Sequence, residues 1–124
     1  MTKILVVDDS QTIRAAIRRV LEPLGYTVDE AENGDAALHY CREWGGADAV
    51  LLDIDMPVMD GITFLRELRG DTSLRQPPVV MCTTHAALEK IAEAVEAGAD
   101  EYIMKPFSGE IVAGKLASVG VGAE

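Results

Sequence analysis

The sequence predicts an α/β fold in which a doubly wound, parallel sheet of five strands is covered by five helices. Short apolar runs alternate along the chain with longer segments whose apolar residues recur at helical spacing. Strands that alternate with helices form right-handed crossovers, and these build parallel sheets. The five runs are Ile4–Val7, Val28–Ala31, Val50–Leu52, Val79–Cys82 and Tyr102–Met104.

The length and composition indicate one globular domain. A chain of 124 residues that is 48% hydrophobic can bury a core without a disulfide or a structural metal. The formal net charge of -10 disfavours binding to DNA or to anionic membranes. The apolar runs are too short for a signal peptide or a membrane span, so we expect a cytoplasmic protein without membrane insertion. We expect one domain over 1–120 and a C-terminal tail over 121–124.

The elements of the first half follow from local signals. Ile4–Val7 is continuously apolar, as expected of a central strand that is buried on both faces. Ser10 can cap the first helix, and Gly25 marks its end. Thr27–Ala31 contains acids, which suits a strand near an edge of the sheet. The second helix stops at Gly45, and its inner face is predicted at Ala37, Cys41 and Trp44.

The second half follows the same alternation. Asp60 can cap the third helix, and Ser108 can cap the fifth. Gly70–Pro78 is polar and contains two prolines, which predicts a loop before the fourth strand. The inner stripe of the fourth helix is predicted at Leu88, Ile91, Ala92 and Val95.

Polar residues stand where the apolar runs end. They are Asp8, Asp9, Asp53, Thr83 and Lys105. The ligand crevice of an open parallel sheet lies outside the carboxyl ends of its strands, so these side chains should share one pocket. Carboxylates about 4 Å apart repel one another by a few kcal/mol unless a cation neutralises them. Magnesium suits this pocket because it takes oxygen ligands and bridges carboxylates to phosphate.

The same pocket suits phosphoryl transfer, which depends on positioning and on charge neutralisation. Asp53 would be the nucleophile, Lys105 would supply a compact positive charge, and Thr83 would donate a hydrogen bond. Taken singly, each residue also fits an ordinary turn, cap or loop position. Their common placement at strand ends favours a functional site. On the first helix, Arg14, Arg18 and Arg19 form a basic stripe. It is interpreted as a solvated face, with contact to a kinase or to an anionic second messenger as the alternatives.

Four motifs carry a resemblance that covers almost the whole chain. They are Val6–Ser10 (VVDDS), Leu52–Gly61 (LDIDMPVMDG), Thr83 and Tyr102–Phe107 (YIMKPF). Together they resemble the receiver domain of two-component response regulators. The resemblance implies a flavodoxin-like fold with strand order 2-1-3-4-5, an order that is also known from chemotaxis receivers.

The resemblance also implies the chemistry of the site. Asp53 would accept a phosphoryl group from a phosphohistidine of a sensor histidine kinase. Asp9 and Asp53 would bind Mg²⁺ directly, and Asp8 would bind it mainly through water. The main-chain carbonyl of Asp55 would be a further ligand. The Asp55 side chain occupies a variable position of the family, and we hypothesise that it modifies the rate of autodephosphorylation.

The resemblance further implies a conformational switch. Thr83 and Lys105 would contact the phosphoryl oxygens, and Tyr102 would swing inward as Thr83 moves. The output surface would be the fourth helix, the fifth strand and the fifth helix. The Lys105–Pro106 peptide bond would be cis. His85, another variable position, is interpreted as a solvated residue at the start of a helix.

The chain stops after the predicted fifth helix, and the stretch from Met81 through Lys115 and Leu116 resembles single-domain regulators of the chemotaxis type. It would not be an enzyme, apart from assisting its own phosphorylation and dephosphorylation. It would bind a downstream protein, with the flagellar motor switch as one candidate, and would be a monomer or a weak dimer. The alternatives are a phosphorelay intermediate or phosphate sink, a receiver-like docking module that is not phosphorylated, and a haloacid-dehalogenase-like phosphatase that uses Asp53 and Asp55.

Overall fold

Five strands and five α-helices alternate in the computed structural model, which describes residues 2–54, 56–83 and 88–122. The strands are β1 (Lys3–Val7), β2 (Thr27–Ala31), β3 (Ala49–Asp53), β4 (Val79–Thr83) and β5 (Glu101–Met104). The helices are α1 (Gln11–Leu21), α2 (Gly34–Trp44), α3 (Gly61–Gly70), α4 (Leu88–Ala97) and α5 (Gly109–Ser118), and a 3-10 turn (Glu22–Leu24) follows α1. Within these ranges, no helix has the length and apolarity needed to cross a bilayer.

The strands form one parallel sheet in the order β2-β1-β3-β4-β5. This confirms the predicted fold class and places β2 at an edge. Val7 at the end of β1 lies opposite Leu52, and Asp53 at the end of β3 lies opposite Cys82. The carboxyl ends of the central strands therefore meet at one edge of the sheet.

Each face of the sheet has its own apolar layer, because successive side chains of a strand point to opposite faces. In β1, Leu5 and Val7 pack in the layer that contains residues of α2, α3 and α4. Ile4 and Val6 pack in the layer that contains residues of α1 and α5. All four side chains are buried, so the two-layered core fixes the strand order and register that position the site.

Helix caps occur at the predicted positions. The Ser10 hydroxyl accepts a hydrogen bond from the main-chain N–H of Ile13 at 3.2 Å, and Ser108 caps α5 in the same way. The Asp60 carboxylate accepts from the N–H of Thr63 at 2.8 Å. Asn33 is the cap of α2, and its side-chain oxygen accepts from the N–H of Ala36. Because α1 begins directly after β1, its cap also sets the path of the chain at Asp8 and Asp9.

The predicted inner face of α2 is wrong at Trp44. Ala37 and Cys41 are buried as expected, and Leu38 is buried beside them. The Trp44 side chain is 75% exposed because it belongs to the last turn of the helix, directly before the left-handed Gly45. Its position at the end of α2 leaves the indole in solvent.

The predicted inner stripe of α4 is wrong at two positions. Ala94 is buried and Ile91 is half-buried, whereas Ala92 is exposed and Val95 is 59% exposed. The buried face is therefore narrower and turned relative to the predicted one. The side chain of Leu88 lies outside the described part of the chain.

The chain beyond α5 contacts the start of the protein. The Val121 carbonyl accepts a hydrogen bond from the Tyr26 hydroxyl at 3.2 Å, and the Gly122 carbonyl accepts one from the Thr2 hydroxyl at 3.2 Å. Both contacts lie at the edge of the sheet opposite the carboxyl ends of the strands.

Candidate functional site

Three carboxylates meet at the carboxyl edge of the sheet. Each of Asp8, Asp9 and Asp53 offers one oxygen such that the three oxygens lie within 4.8 Å of one another. Asp8 and Asp9 follow β1, and Asp53 is the last residue of the adjacent β3. Asp8 is buried, Asp53 is half-buried and Asp9 is exposed, so the cluster opens toward solvent on the Asp9 side.

The Asp8 residue is held from several directions. One carboxylate oxygen accepts a hydrogen bond from the main-chain N–H of Ser10 at 2.9 Å. The other accepts from the Lys105 ammonium at 2.6 Å. Its main-chain N–H donates to the carbonyl of Ala31 at the end of β2. The Asp8 side chain therefore has little freedom to rotate.

Lys105 connects the last loop of the sheet to the cluster. Its ammonium lies 2.6 Å from Asp8 and 3.5 Å from Asp53, and its side chain is 12% exposed. Burial alone would lower the pKa of Lys105, but the hydrogen bond to Asp8 and the charge of Asp53 raise it above its usual value. Lys105 is thus a permanent cation at this site, and its peptide bond to Pro106 is cis.

The Asp53 carboxyl has an unusually high proton affinity. Burial is the main cause and raises its pKa from 3.8 to about 6, against the opposing charge of Lys105. Like-charge repulsion by Asp8, and to a lesser degree by Asp9, is a smaller contribution to this same rise in the pKa of Asp53. At neutral pH this carboxylate is ionised in surroundings that favour its neutralisation, either by a proton or by a second cation.

The donor set fits a hard divalent cation. All three side chains offer carboxylate oxygen, the ligand type that Mg²⁺ prefers, and the exposed side of the cluster leaves room for water ligands. Three acids face one nearby lysine, so the group carries excess negative charge. The proposed fourth ligand, the main-chain carbonyl of Asp55, lies outside the described residues, as does His85.

Thr83 lies on β4, and Tyr102 lies on the adjacent edge strand β5. Thr83 is the buried last residue of β4, and its carbonyl accepts a hydrogen bond from the N–H of Lys105 at 2.8 Å. Tyr102 on β5 is 40% exposed, and the Lys115 ammonium lies 5.6 Å from its ring centre. Both residues line a small cleft against α4 that also includes Ile91. The cleft volume of about 10 Å³ matches about one water molecule.

The loop from β3 to α3 packs tightly against the end of β3. The Gly61 N–H donates to the Ile54 carbonyl at 2.9 Å, and a Cβ at Gly61 would overlap the main-chain carbonyl of Asp53. Earlier in the loop, Met59 donates to the Pro57 carbonyl across Val58. Val58 is 84% exposed and has φ of 69°, a left-handed conformation that disfavours β-branched residues.

The arginines of α1 are not simply solvated, contrary to the sequence-based interpretation. Arg14 donates to Glu30 on β2 at 2.9 Å and to the main-chain carbonyl of Asp8 at 2.7 Å. Arg18 donates to the other carboxylate oxygen of Glu30 at 2.8 Å. Arg19 is exposed, as predicted. The only hint in the sequence was Glu30, an acid at the end of a predicted edge strand.

A cavity of about 560 Å³ opens from the cluster along α1. The acidic end contains the three carboxylates and Lys105, and the remainder is largely apolar. The apolar lining is Ile13, Ala16, Ile17, Val20, Pro106 and Phe107. The site is therefore polar at the sheet edge and apolar on the side of α1.

Comparisons with known proteins agree with this geometry. The model of the response regulator receiver domain matches residues 4–116. The chemotaxis protein CheY of Pseudomonas aeruginosa is 39% identical over 118 residues, which are 94% of each chain. The sensor histidine kinase CheAY of Helicobacter pylori is 43% identical over 108 residues, which are 86% of this chain and 13% of that protein.

The fold has close counterparts among solved structures. The chemotaxis protein CheY4 of Vibrio cholerae superimposes with a TM-score of 0.87 at 34% identity, over 96% of this chain and 98% of that one. The match over residues 4–116 shows that the chain belongs to the response regulator receiver family, and it has an open parallel sheet with an acidic cluster at the carboxyl edge. Its similarity over nearly its whole length to chemotaxis proteins is consistent with a response regulator of the chemotaxis type.

Proposed function

We propose that the protein carries a signal by accepting a phosphoryl group on Asp53. The observation that carries this proposal is the cluster of Asp8, Asp9 and Asp53 with the Lys105 ammonium bonded to it. This arrangement supplies a nucleophilic carboxylate, a cation site and a positive charge within one opening. The family supports the same roles, because its members are receivers of two-component signalling.

The transfer step follows from these side chains. A carboxylate oxygen of Asp53 attacks phosphorus in line with the bond to the donor nitrogen. The new O–P bond forms as the N–P bond breaks, and the electron pair returns to the imidazole nitrogen of the donor histidine. Lys105, whose ammonium lies 3.5 Å from Asp53, is the proposed partner of one phosphoryl oxygen, and the Thr83 hydroxyl is the proposed donor to a second one. In a second displacement, water attacks phosphorus and the bond between phosphorus and the Asp53 oxygen breaks, which releases inorganic phosphate and restores the Asp53 carboxylate.

We propose Mg²⁺ as the cation. Asp9 and Asp53 would hold it directly, Asp8 would hold it through water, and the Asp55 carbonyl would complete the protein ligands. The chemistry that a bound Mg²⁺ supplies is neutralisation of charge on the carboxylates and phosphoryl oxygens. The repulsion that raises the pKa of Asp53 supports this assignment.

The proposed response is a change at α4, β5 and α5. The new phosphoryl group adds about two negative charges at the end of β3. Thr83 would move toward it, and Tyr102 would turn from its exposed position into the cleft against α4. That cleft has room for about one water, so Thr83 or α4 must shift before the ring can enter.

The proposed donor is a sensor histidine kinase, and the proposed receiver of the signal is a second protein. One relative is by its name a sensor histidine kinase, which supports the first part. Similarity to chemotaxis proteins makes the flagellar motor switch a candidate for the second part. ATP-dependent kinases act inside the cell, so the proposal implies a cytoplasmic location. The phosphatase alternative has less support, because Asp53 ends the third strand, whereas the phosphatase family has its nucleophile on the first.

Phosphorylation with acetyl phosphate tests the proposal directly. The wild type should gain one phosphoryl group by mass spectrometry with Mg²⁺ and none with EDTA. Asp53→Asn should gain none, and Asp35→Asn, which changes an exposed acid at the start of α2, should react like the wild type. Labelling of Asp53→Asn, or labelling in EDTA, would overturn the proposal. A pull-down with and without beryllofluoride, which mimics the phosphorylated state, would then identify the partner.

A further inference from the structure

The Arg14 guanidinium connects three parts of the chain at the rim of the acidic cluster. One nitrogen donates to the Glu30 carboxylate at 2.9 Å, and another donates to the main-chain carbonyl of Asp8 at 2.7 Å. The Arg14 side chain is only 14% exposed. It therefore ties α1 to the end of β2 and to the turn that carries the carboxylates.

Glu30, the carboxylate partner of Arg14, is also held by a second arginine. Arg18 donates to Glu30 through two nitrogens, at 3.0 Å and 2.8 Å, and also contacts Glu22. Glu30 thus lies between two arginines, whose hydrogen bonds and charges hold its pKa below the usual range. The Arg14 guanidinium therefore contacts the Asp8 carbonyl while it is held by a carboxylate that is itself restrained.

The bond to the Asp8 carbonyl acts on Asp9. The Asp8 carbonyl and the Asp9 N–H belong to one planar peptide unit, so fixing the oxygen fixes the plane from which Asp9 departs. Asp9 is the exposed member of the cluster, whereas the Asp8 carboxylate is held by Ser10 and Lys105. Because Asp9 is exposed, packing restrains its carboxylate little, and the plane of this peptide unit is one restraint on its direction.

We propose that Arg14 is a positioning residue that orients Asp9 for cation binding through the Asp8 carbonyl. This inference rests on the proposed function but concerns a residue outside the cluster. The charge of Arg14 and its hydrogen bond to the Asp8 carbonyl have opposite effects on the affinity for a divalent cation. The positive charge alone repels a divalent cation, so its removal should tighten binding. The hydrogen bond arranges a ligand, so its removal should weaken binding.

Mg²⁺ affinity of unphosphorylated protein, measured by calorimetry, separates these effects. Arg14→Met should weaken Mg²⁺ binding about tenfold, in line with other positioning partners of metal ligands. Arg14→Lys keeps the charge but lacks the planar fork, so it should also bind Mg²⁺ more weakly than the wild type. Arg19→Met, which removes an exposed charge from the same helix, should leave the affinity within about twofold of the wild type.

Unchanged or tighter Mg²⁺ binding by Arg14→Met would overturn the inference, and so would wild-type affinity in Arg14→Lys. Hydrogen exchange of the Asp9 amide provides a second measurement in EDTA and should be faster in Arg14→Lys than in Arg19→Met. An equal rate would count against the inference even where Arg14→Met does not fold. Phosphorylation of the wild type by acetyl phosphate is a separate result, so failure of the proposed function is distinguishable from failure of this inference.

Discussion

The Asp53 carboxylate lies half-buried beside two other carboxylates and one ammonium. The rise of its pKa from 3.8 to about 6 means that ionised Asp53 destabilises the folded protein by about 3 kcal/mol at neutral pH. Between these two values the folded state binds more protons than the unfolded state. The contribution of Asp53 to stability therefore falls as the pH rises through this window, and the full cost remains above it.

Asp53→Asn should therefore be more stable than the wild type in EDTA at pH 7.5. Asparagine resembles the protonated carboxyl, so the gain should be about 1–3 kcal/mol and should shrink toward pH 5. Thermal unfolding of both proteins at the two pH values measures the difference. Acids with a lowered pKa, such as Asp48, change the stability of both proteins equally, so their effect cancels in the difference at each pH. A gain that is larger at pH 5 than at pH 7.5 would contradict the assignment.

Val58 carries backbone strain in an exposed loop. The left-handed conformation costs an ordinary L-residue about 1–2 kcal/mol, and Val58 has no burial that compensates. Val58→Gly should relieve this strain, and the greater entropy of glycine in the unfolded chain should offset part of the gain. The net stabilisation should be about 1 kcal/mol. Val58→Ile is the matched control, and it should give no gain in urea denaturation. Destabilisation by Val58→Gly would show that the valine side chain has a contact that outweighs the strain.

At the scale of elements, the junction of β3 with α3 depends on close backbone approach. Gly61→Ala would place a methyl group against the main chain of Asp53, so one of the two segments must shift. We expect a loss of about 1–3 kcal/mol and slower phosphorylation by acetyl phosphate. Gly114→Ala, in the middle of α5 with open space at its Cβ, should instead gain about 0.5–1 kcal/mol. Equal stabilities of the two variants in urea would reject this view of the junction.

The positions of the elements were predictable, whereas some of their faces were not. Local chemistry determines the helix caps at Ser10 and Asp60 and the end of β3 at Asp53, so these features could be predicted from residue types alone. Whether Trp44 or Val95 is buried depends on how far the neighbouring layer extends and on the rotation of a short helix. Those properties arise from packing between elements, and periodicity does not encode them.

At the scale of the molecule, the sheet topology brings distant residues into one site. Parallel strands present their carboxyl ends together, so the meeting of Asp8, Asp9, Asp53 and Lys105 could be predicted once the fold class was inferred. The hydrogen bond from Arg14 to Asp8 could not, because it depends on a side-chain rotamer and on the crossing of α1 over the sheet. The roles of these residues in phosphorylation remain our proposal.

Occupation of the site should stabilise the whole fold. A cation that binds only the folded state adds about 2.7 kcal/mol at a concentration of 100 times its dissociation constant. Mg²⁺ should therefore raise the melting temperature by several degrees, and EDTA should reverse the rise. Asp9→Asn should lose most of this response, and Asp35→Asn should keep it. If Mg²⁺ does not change the melting temperature of the wild type, the proposal that it binds at this site is contradicted.

The location of Trp44 determines which optical signal the protein gives. It is the only tryptophan of the chain, and its side chain is three-quarters exposed at the far end of α2. A helix rises 1.5 Å per residue, so the indole lies about 15 Å along α2 from the end that borders the carboxyl edge. Its emission should resemble that of indole in water and should stay constant when magnesium or a phosphoryl group is added. A fluorescent reporter of activation therefore has to be introduced elsewhere, and Trp44 can serve as the internal intensity standard.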